Sequence, residues 1–599
     1  MVNIYINGQH YVAPEGLSVL DACRRYGYHV PALCYHPRLK PLGRCKVCVV
    51  ELEDSGNLCI SCSTQIEEGM KIRTDTPRVI SKATQAMRGL KEKQTERMTR
   101  VVADKTEFDR LCQWADGSEL HKNAAVTIDP TLCVECGRCE EACSRLQDMH
   151  ILEIPNGQPV RATGGVAFDT SACIGCGQCS TFCPTGAINA TSHIDKIYDA
   201  IAAGDKTIVA QTAPSIRVAL GEECGVPAGE ITTGKMVAAL RAIGFKHVFD
   251  TNYSADLTIL EEGTELIGRL SKKWAGEEVA MPMFTSCCPA WINSVEQDFP
   301  EFIPNLSSCK SPMMMLGRIV KQYWAEKAGI DRSKIFQVAI MPCTAKKMEI
   351  ERQQMLVDGD KDVDAVLTTR ELGALIRKHH IKFSELEDSE FDCPLGTSTG
   401  AAVIFGVTGG VMEAALRTAY EVTTKTPLPT LEYSPVRGVD KNIKVSTVEL
   451  PLPDGNKKTI KVGVCNGIKA AHKLLADIKS GEATDFDFIE VMSCPGGCIG
   501  GGGQPRSLDP EILKKRSEAT YTCDERSAIR RSHENPTINK LYEEYYEEPN
   551  SHKAHHDLHT HYTDRSAAII RPIEEEEEEE EVVDVDGTPL LIVYATQTG

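Results

Sequence analysis

The sequence predicts a multidomain α/β protein, and three observations support this prediction. A chain of 599 residues with 42% hydrophobic residues can bury several cores, because single cores rarely grow beyond about 250–300 residues. From about residue 196 to 525, short apolar strands alternate with amphipathic helical stretches, as in layered folds with parallel strands. Ahead of that region, many cysteines fall in C-x-x-C groups. We therefore expect small cysteine-rich domains followed by one large α/β domain.

Charge and hydropathy exclude two classes of function. The net charge of -19 would repel a polyanion, so we expect no nucleic-acid partner. No apolar run approaches the roughly 20 residues that a membrane-spanning helix needs. Residues 1–8 alternate like a strand that enters a turn, which leaves no room for a signal peptide. We expect a soluble, cytoplasmic protein without a membrane partner.

The 25 cysteines are better suited to metal clusters than to disulfides. Their number is odd, and C-x-x-C spacing is typical of metal ligands. A reducing compartment keeps such thiols available as thiolate ligands. We therefore expect an oxygen-sensitive, anaerobic protein.

Residues 1–78 form the first predicted domain, in which short apolar strands alternate with Gly and Pro turns. Its cysteines Cys34, Cys45, Cys48 and Cys62 follow the pattern C-x10-C-x2-C-x13-C, with Cys59 as a competing fourth ligand. Buried or zinc-binding cysteines are the alternative. The pattern resembles the [2Fe-2S] ferredoxin-like domain at the front of large hydrogenases and of NADH dehydrogenase subunits. The resemblance implies a β-grasp fold with a [2Fe-2S] cluster and favours Cys62.

Residues 79–125 are rich in Lys, Arg, Glu and Met and contain no proline, which predicts a mostly helical connector. Many similar hydrogenases carry a cluster with one His and three Cys ligands here. This chain offers only Cys112 and His121. We expect that cluster to be absent.

Residues 126–195 contain two cysteine runs of the form C-x2-C-x2-C-x3-C. They resemble a two-cluster bacterial ferredoxin, in which the fourth cysteine of each run binds the other cluster. The resemblance implies two [4Fe-4S] clusters with crossed ligand sets. One set is Cys133, Cys136, Cys139 and Cys183, and the other is Cys143, Cys173, Cys176 and Cys179.

Residues 196–525 carry three further cysteine motifs in loops between predicted elements. They are TSCCPAW at 285–291, MPCTAKKME at 341–349 and EVMSCPGGCIGGGGQP at 490–505. Together with the domains ahead of them, they resemble the signature motifs of [FeFe]-hydrogenases. The resemblance implies a two-lobed α/β catalytic domain for reversible dihydrogen formation, with electrons relayed through the N-terminal clusters.

The resemblance also implies the H-cluster, a [4Fe-4S] cubane joined to a diiron unit that carries carbon monoxide, cyanide and an azadithiolate. By position, Cys288, Cys343, Cys494 and Cys498 hold the cubane, and Cys498 bridges to the diiron unit. Thiolates are the soft ligands that iron clusters select. Glycines around Cys498 allow the backbone to approach a bulky inorganic group.

Other residues are predicted to form the pocket by the same match. Lys346 would donate a hydrogen bond to a cyanide. Pocket contacts are expected from Pro214, Ser215, Met341, Met492 and Phe405. Ordinary core packing is the alternative for each. Met313 stands where many relatives have Gln, which puts cyanide hydrogen bonding, rate bias and oxygen tolerance in doubt.

Cys287 matches the family's proton donor. Cleavage of dihydrogen releases a proton that a nearby titratable group must carry away. The matching outward relay is Glu262, Ser307, Glu265 and Arg269. Glu262 and Glu265 would share a helix face; surface salt bridges are the alternative.

The C-terminal part has three predicted segments. Residues 526–565, with a His-rich stretch, resemble the closing segment of the same hydrogenases. Residues 566–588 form an acidic linker with eight successive Glu. Residues 589–599 resemble the start of a flavodoxin-like domain, and FMN would follow only if that domain were complete.

The expected partners are dihydrogen and protons as substrates, hydrogenase maturation proteins, and a ferredoxin, a flavodoxin or a fused flavin reductase domain. Two other functions compete. A sensory relative would commonly lack the cysteine at 287. An electron-wire subunit or cluster-assembly relative would lack the complete third motif with Cys498.

Overall fold

The computed structural model describes residues 1–103, 121–426, 428, 430–451 and 457–569. The first domain is a five-stranded mixed sheet packed against one helix. Its elements are β1 (Val2–Ile6), β2 (Gln9–Ala13), α1 (Val19–Arg25), β3 (Val49–Leu52), β4 (Asn57–Ile60) and β5 (Met70–Arg73). The strand order is β2-β1-β5-β3-β4, with β1 parallel to β5. This arrangement agrees with the predicted ferredoxin-like fold.

A long helix and a second small domain follow. The elements are α2 (Pro77–Ala103), β6 (His121–Lys122), β7 (Val126–Ile128), α3 (Arg138–Glu141), β8 (Leu152–Glu153), β9 (Arg161–Ala162), α4 (Gln178–Phe182) and β10 (Ile188–Ala190). α2 agrees with the mostly helical prediction for the connector, whereas β6 near its end is a two-residue strand that pairs with β7. Cys112, and with it the prediction of the absent cluster, lies outside the described residues.

The first lobe of the large domain is built on a parallel sheet of order β12-β11-β14-β15. Its strands are β11 (Thr207–Thr212), β12 (His247–Asp250), β14 (Ile335–Met341) and β15 (Ala365–Thr368). Its helices include α5 (Ile194–Ala203), α6 (Thr233–Ile243), α7 (Thr251–Ala275), α9 (Pro312–Ile319), α10 (Ala325–Ala328), α11 (Lys346–Glu349) and α12 (Thr369–Lys378). These strands and helices confirm the alternation predicted from about residue 196 onwards.

The second lobe has the sheet order β13-β18-β17-β16, in which only the edge strand β16 is antiparallel. Its strands are β13 (Met283–Phe284), β16 (Ile443–Pro451), β17 (Lys457–Asn466) and β18 (Phe488–Met492). Its helices are α8 (Pro289–Asp298), α13 (Gly400–Val403), α14 (Gly410–Thr424) and α15 (Ile468–Ser480). The two largely parallel sheets confirm the predicted two-lobed α/β architecture.

The C-terminal segment packs onto both lobes through α16 (Ile512–Arg526), α17 (Pro536–Leu541) and α18 (His552–Leu558). Tyr542, Tyr546 and Leu558 join a buried cluster with Phe249 and Leu316 of the first lobe. Residues 570–599, which hold most of the predicted linker and the flavodoxin-like start, lie outside the described residues. Among the described helices, none is long and apolar enough to span a bilayer.

Candidate active site

A buried cavity lies between the two lobes, where the carboxyl ends of β11, β14 and β18 converge. Its wall carries Cys287, Cys288, Cys343, Cys494 and Cys498. The cavity encloses about 80 Å³, several times the roughly 10–15 Å³ that one water molecule needs. Loops at the carboxyl ends of parallel strands are the usual place for chemistry in α/β folds.

Secondary structure fixes each of the four predicted cubane ligands. Cys343 closely follows β14, and Cys494 closely follows β18. Cys288 is the N-cap residue of α8, and Cys498 begins a short 3-10 turn. Strand ends and helix starts are rigid elements, so the four thiols are held in place before any metal binds.

The chemistry of this donor set fits an iron-sulfur group. Burial raises the pKa of Cys343 to about 12 and also raises the pKa of the Cys494 and Cys498 thiols, with neighbouring cysteines adding to each shift. Grouped in this way, buried thiols become stable thiolates only when a cation supplies the missing positive charge. Soft thiolate ligands select iron-sulfur clusters over hard cations.

The backbone around Cys498 also fits a bulky inorganic group. Gly497 has a φ of +90°, and a Cβ there would lie 2.6 Å from the backbone nitrogen of Thr408. A Cβ on Gly501 would lie 2.3 Å from the carbonyl oxygen of Pro342. Any larger residue would therefore displace the loop that presents Cys498 to the cavity.

The remaining predicted wall residues surround the same cavity: Pro214, Ser215, Met341, Phe405 and Met492 line it, as does Met313. Ser215 is fully buried, and its hydroxyl accepts a hydrogen bond of 3.2 Å from the Gln504 amide. That amide also contacts the carbonyl oxygen of Cys498 at 3.3 Å. Gln504 lies within the third motif, but sequence reasoning gave it no role.

Lys346 presents a buried cation to this wall. Its ammonium donates to the carbonyl oxygen of Cys287 at 3.0 Å and to Glu349 at 2.8 Å. Burial would lower its pKa, but the carboxylate of Glu349 holds the pKa above its ordinary value. The side chain therefore keeps its charge beside the cavity. Glu349 is a second residue to which sequence reasoning gave no role.

Cys287 and Glu262 lie together at the inner end of the predicted proton relay. Burial raises the pKa of the Cys287 thiol well above its ordinary value, and the charge of Glu262 adds to the shift. Burial, helped by the charge of Glu265, raises the pKa of Glu262 to about 8. Among the described residues, neither carboxylate oxygen of Glu262 has a well-aligned hydrogen-bond partner. Ser307 and the backbone of Ser286 are close enough to lower its pKa.

The outer end of the relay is a connected hydrogen-bond chain. The Ser307 hydroxyl donates to Oε2 of Glu265 at 2.9 Å. Arg269 donates to Oε1 of Glu265 at 2.6 Å from one turn further along α7. Glu262, Glu265 and Arg269 thus share one side of α7, and the side chains of Glu265 and Arg269 are 14% and 16% exposed. The chain of groups leads from the cavity wall towards the surface.

The four N-terminal cysteines predicted as ligands lie together at the edge of the first domain. The backbone nitrogen of Cys34 lies 3.5 Å from the sulfur of Cys45, and the reverse distance is 3.4 Å. Cys62 contacts Cys34 and Cys48. Cys59 lies on β4 and interacts with Cys48 through its charge, whereas Cys62 contacts both Cys34 and Cys48.

The eight cysteines of the second domain fall into two groups with a crossed pattern. Cys139 interacts with Cys133, Cys136 and Cys183. In the second group, the charge interactions join Cys143, Cys173, Cys176 and Cys179. The last cysteine of each run therefore lies with the first three of the other run.

Direct contacts connect these cysteine groups with the cavity. The first and second domains meet where Cys34 and Cys45 pack with Cys136. Cys176 of the second domain packs in one cluster with Cys288 and Cys343 of the large domain.

Comparison with known families gives matches along nearly the whole chain. Residues 1–77 match a "2Fe-2S iron-sulfur cluster binding domain" and residues 114–187 a "4Fe-4S dicluster domain". Residues 206–502 match "Iron only hydrogenase large subunit, C-terminal domain", and residues 510–565 match "Iron hydrogenase small subunit".

Individual relatives agree with these matches. The chain is 42% identical over 589 residues to "NADP-reducing hydrogenase subunit HndD" of Solidesulfovibrio fructosivorans, covering 94% of this chain and 99% of the relative. It is 38% identical over 588 residues to "Iron hydrogenase 1" of Clostridium pasteurianum, covering 94% and 100%. A solved structure of [FeFe]-hydrogenase HydA1 from Chlamydomonas reinhardtii aligns with a TM-score of 0.57 at 44% identity, covering 63% of this chain and all of that one.

Proposed function

The chain belongs to the iron-only, or [FeFe], hydrogenase family, and from that premise we propose which of its residues hold the cofactor, carry protons and carry electrons. The reaction is the reversible formation of dihydrogen from protons and electrons. The cofactors of the family are a [2Fe-2S] cluster, [4Fe-4S] clusters and the H-cluster. When bound, the H-cluster supplies the redox chemistry of dihydrogen.

Four thiolates would hold the cubane of the H-cluster, namely Cys288, Cys343, Cys494 and Cys498. This assignment is carried by one observation: the four thiols line a single buried cavity between two parallel sheets. All four also interact with one another through their charges. Lys346 would hold an anionic ligand at the wall, because its ammonium remains charged although it is buried.

Cys287 would move the proton at the cavity. Its raised pKa means that the thiol is protonated at rest, and the acceptor next to it is Glu262, whose pKa of about 8 lies near physiological pH. A group with such a pKa can both take up and release a proton. Ser307 and Glu265 would then pass the proton outwards, with Arg269 orienting the Glu265 carboxylate.

Electrons would enter through the N-terminal domains. The cysteine groups of the three domains pack against one another in sequence, from Cys45 and Cys136 to Cys176 and Cys343. Buried contact of this kind keeps successive redox centres close together.

The external partner is a finer proposal. Ferredoxin, flavodoxin or a flavin reductase domain would exchange electrons with the first domain. A nicotinamide-linked partner is supported by the S. fructosivorans relative, which is named an NADP-reducing hydrogenase subunit. Maturation proteins would install the diiron unit. An anaerobic, cytoplasmic setting would suit such clusters, because a reducing compartment keeps their cysteine ligands from forming disulfides.

The test is dihydrogen evolution from reduced methyl viologen by anaerobically purified, diiron-reconstituted protein. Cys287→Ala should lower the rate by at least about a hundredfold, because general acid-base groups contribute on that order. Cys523→Ala is the matched control, since this half-buried thiol lies on α16, away from the relay. Equal activity of Cys287→Ala and wild type, with infrared bands of a complete H-cluster in both, would contradict the proton route. Absence of turnover in fully reconstituted wild type would contradict the catalytic function.

A further inference from the structure

A buried histidine of the C-terminal segment lies against the outer end of the proton relay. His559 follows α18, and its side chain is only 1% exposed. Its Nδ1 lies 2.9 Å from the hydroxyl oxygen of Ser308. Ser308 in turn contacts Oε2 of Glu265 twice, through its backbone nitrogen at 3.1 Å and its hydroxyl at 3.3 Å. A hydrogen-bond path therefore runs from Glu265 to an imidazole.

The far side of the imidazole meets a second buried carboxylate. Nε2 of His559 lies 3.1 Å from Oε2 of Glu261, whose side chain is fully buried. Glu261 is held by the hydroxyl of Tyr542 at 2.6 Å and by the backbone nitrogen of Asn550 at 2.8 Å. A carboxylate fixed in this way can accept a hydrogen bond from Nε2 of the imidazole that faces it.

The hydrogen-bond pattern links the charge of His559 to the relay. Ser308 has only one hydroxyl proton. When Nε2 of a neutral His559 donates to Glu261, Nδ1 can only accept, so the Ser308 hydroxyl points to His559 and away from Glu265. When His559 is protonated, Nδ1 donates to Ser308, whose hydroxyl is then free to donate to Glu265. The two protonation states therefore present different surroundings to the Glu265 carboxylate.

We propose that Ser308, His559 and Glu261 form a proton-holding arm that branches from the relay at Glu265. In the transfer step, the Glu265 carboxylic acid gives its proton to the Ser308 oxygen while the Ser308 hydroxyl gives its own proton to Nδ1 of His559. Glu265 becomes a carboxylate and His559 an imidazolium, so charge and protons balance without any other reactant. The arm rests on the proposed function, because it serves the relay of the same site.

Several charged or titratable groups face His559 besides those of the arm. They are Glu265 from α7, Cys309 from the loop before α9 at 3.9 Å, Tyr542 behind Glu261, and His555 stacked on the imidazole at 4.5 Å between ring centroids. Glu265, Cys309 and His559 are also close enough to bind one cation. A soft divalent ion at this trio would block the transfer, so metal analysis belongs to the test.

The experiment compares holoenzymes of wild type, His559→Gln and the control His556→Gln across a range of pH. His556 lies on α18, but its side chain is 53% exposed and contacts Asp358 and Asp557. We expect His559→Gln to lower dihydrogen evolution on the alkaline side by on the order of threefold to tenfold, less than the loss of a direct proton donor would cause. The alkaline limb of the pH–activity profile should move to lower pH. Protons in the solvent are scarce at alkaline pH, and the variant lacks the proton that His559 would hold. Glu261→Gln should move the limb in the same direction.

A second measurement does not depend on turnover. Infrared difference spectra of the carboxylic acid bands, taken during a pH titration, should show that protonation of the relay acids shifts in His559→Gln and not in His556→Gln, since coupled groups titrate together. If the infrared bands shift in His559→Gln but the wild type shows no turnover, the arm is supported and the proposed function is refuted.

Three results would overturn the arm. The first is an unchanged pH profile and unchanged bands in His559→Gln at full iron content. The second is stoichiometric zinc bound to the purified wild type and lost from His559→Gln. A loss of activity that is equal at every pH and accompanied by loss of iron would show a merely structural role, which also refutes the arm.

Discussion

Replacing Glu262 by Gln should stabilise the protein while it disables the reaction. The carboxyl group is buried, and burial together with the charge of Glu265 raises its pKa from 4.5 to about 8. Each tenfold change in proton affinity corresponds to 1.36 kcal/mol, so ionising this group in the folded state costs roughly 5 kcal/mol relative to the unfolded chain. Gln has nearly the same size and carries no charge, so it avoids this cost.

The sign of the pH dependence follows from where the proton is bound. Below pH 4.5 Glu262 is protonated in both states, and it contributes no difference. Between that pH and about 8, the unfolded chain has lost the proton while the folded chain retains it, so the free energy of unfolding falls as pH rises. Above that window the loss is complete. The stability advantage of Glu262→Gln should therefore grow from about zero at pH 4.5 to a few kcal/mol at pH 8.

The assay is guanidinium unfolding of wild type and Glu262→Gln at a series of pH values, followed by dihydrogen evolution from the same preparations. Glu265→Gln is the comparison, because its side chain is partly exposed and paired with Arg269. The reasoning would be refuted if Glu262→Gln were less stable than wild type at pH 8, or if the difference between them did not change with pH. Activity within tenfold of wild type would separately remove Glu262 from the relay.

Three further predictions concern the cavity and its support. Gly497→Ala should purify with less iron per chain, because its Cβ would lie 2.6 Å from the Thr408 nitrogen at a φ that alanine rarely adopts; iron analysis beside protein concentration measures this. Arg417→Met should lower the free energy of unfolding by up to about 3 kcal/mol in chemical denaturation, since it removes a buried cation from Asp524 at 2.8 Å and leaves that carboxylate only Arg530. Met313→Gln should shift the infrared cyanide bands of the reconstituted enzyme without abolishing them, because an amide donor replaces a thioether on the cavity wall.

The grouping of the cysteines could be predicted because it is encoded in short spacings. Cys133 and Cys136, or Cys494 and Cys498, lie within one loop or one turn, so their spacing already limits the geometry. The strands that precede the catalytic motifs could also be predicted from neighbouring residues, because short apolar runs such as 207–210 are typical of buried strands. Both kinds of pattern depend only on neighbouring residues.

Contacts between distant residues left no such pattern. His559 contacts Ser308 although 251 positions separate them in sequence, and Gln504 contacts Ser215 across 289 positions. A histidine in a His-rich stretch looks solvated from sequence alone, and nothing local distinguishes buried His559 from exposed His556. The strand at 121–122 could not be predicted for a related reason. Its pairing with β7, and not its own composition, decides its conformation.

The docking of the second domain onto the large domain explains why two glycines stand at their boundary. A Cβ on Gly177 would lie 2.2 Å from the Thr344 hydroxyl oxygen, and a Cβ on Gly502 would lie 2.2 Å from the carbonyl oxygen of Cys176. The Thr344 hydroxyl meanwhile donates to the carbonyl oxygen of Gly175 at 2.6 Å. Backbone therefore meets backbone between the loop of one cysteine run and the loops of the second and third catalytic motifs. Because each loop also carries proposed cluster ligands, the contact that joins the domains would also fix the distance that an electron must cross, and any residue larger than glycine would lengthen it.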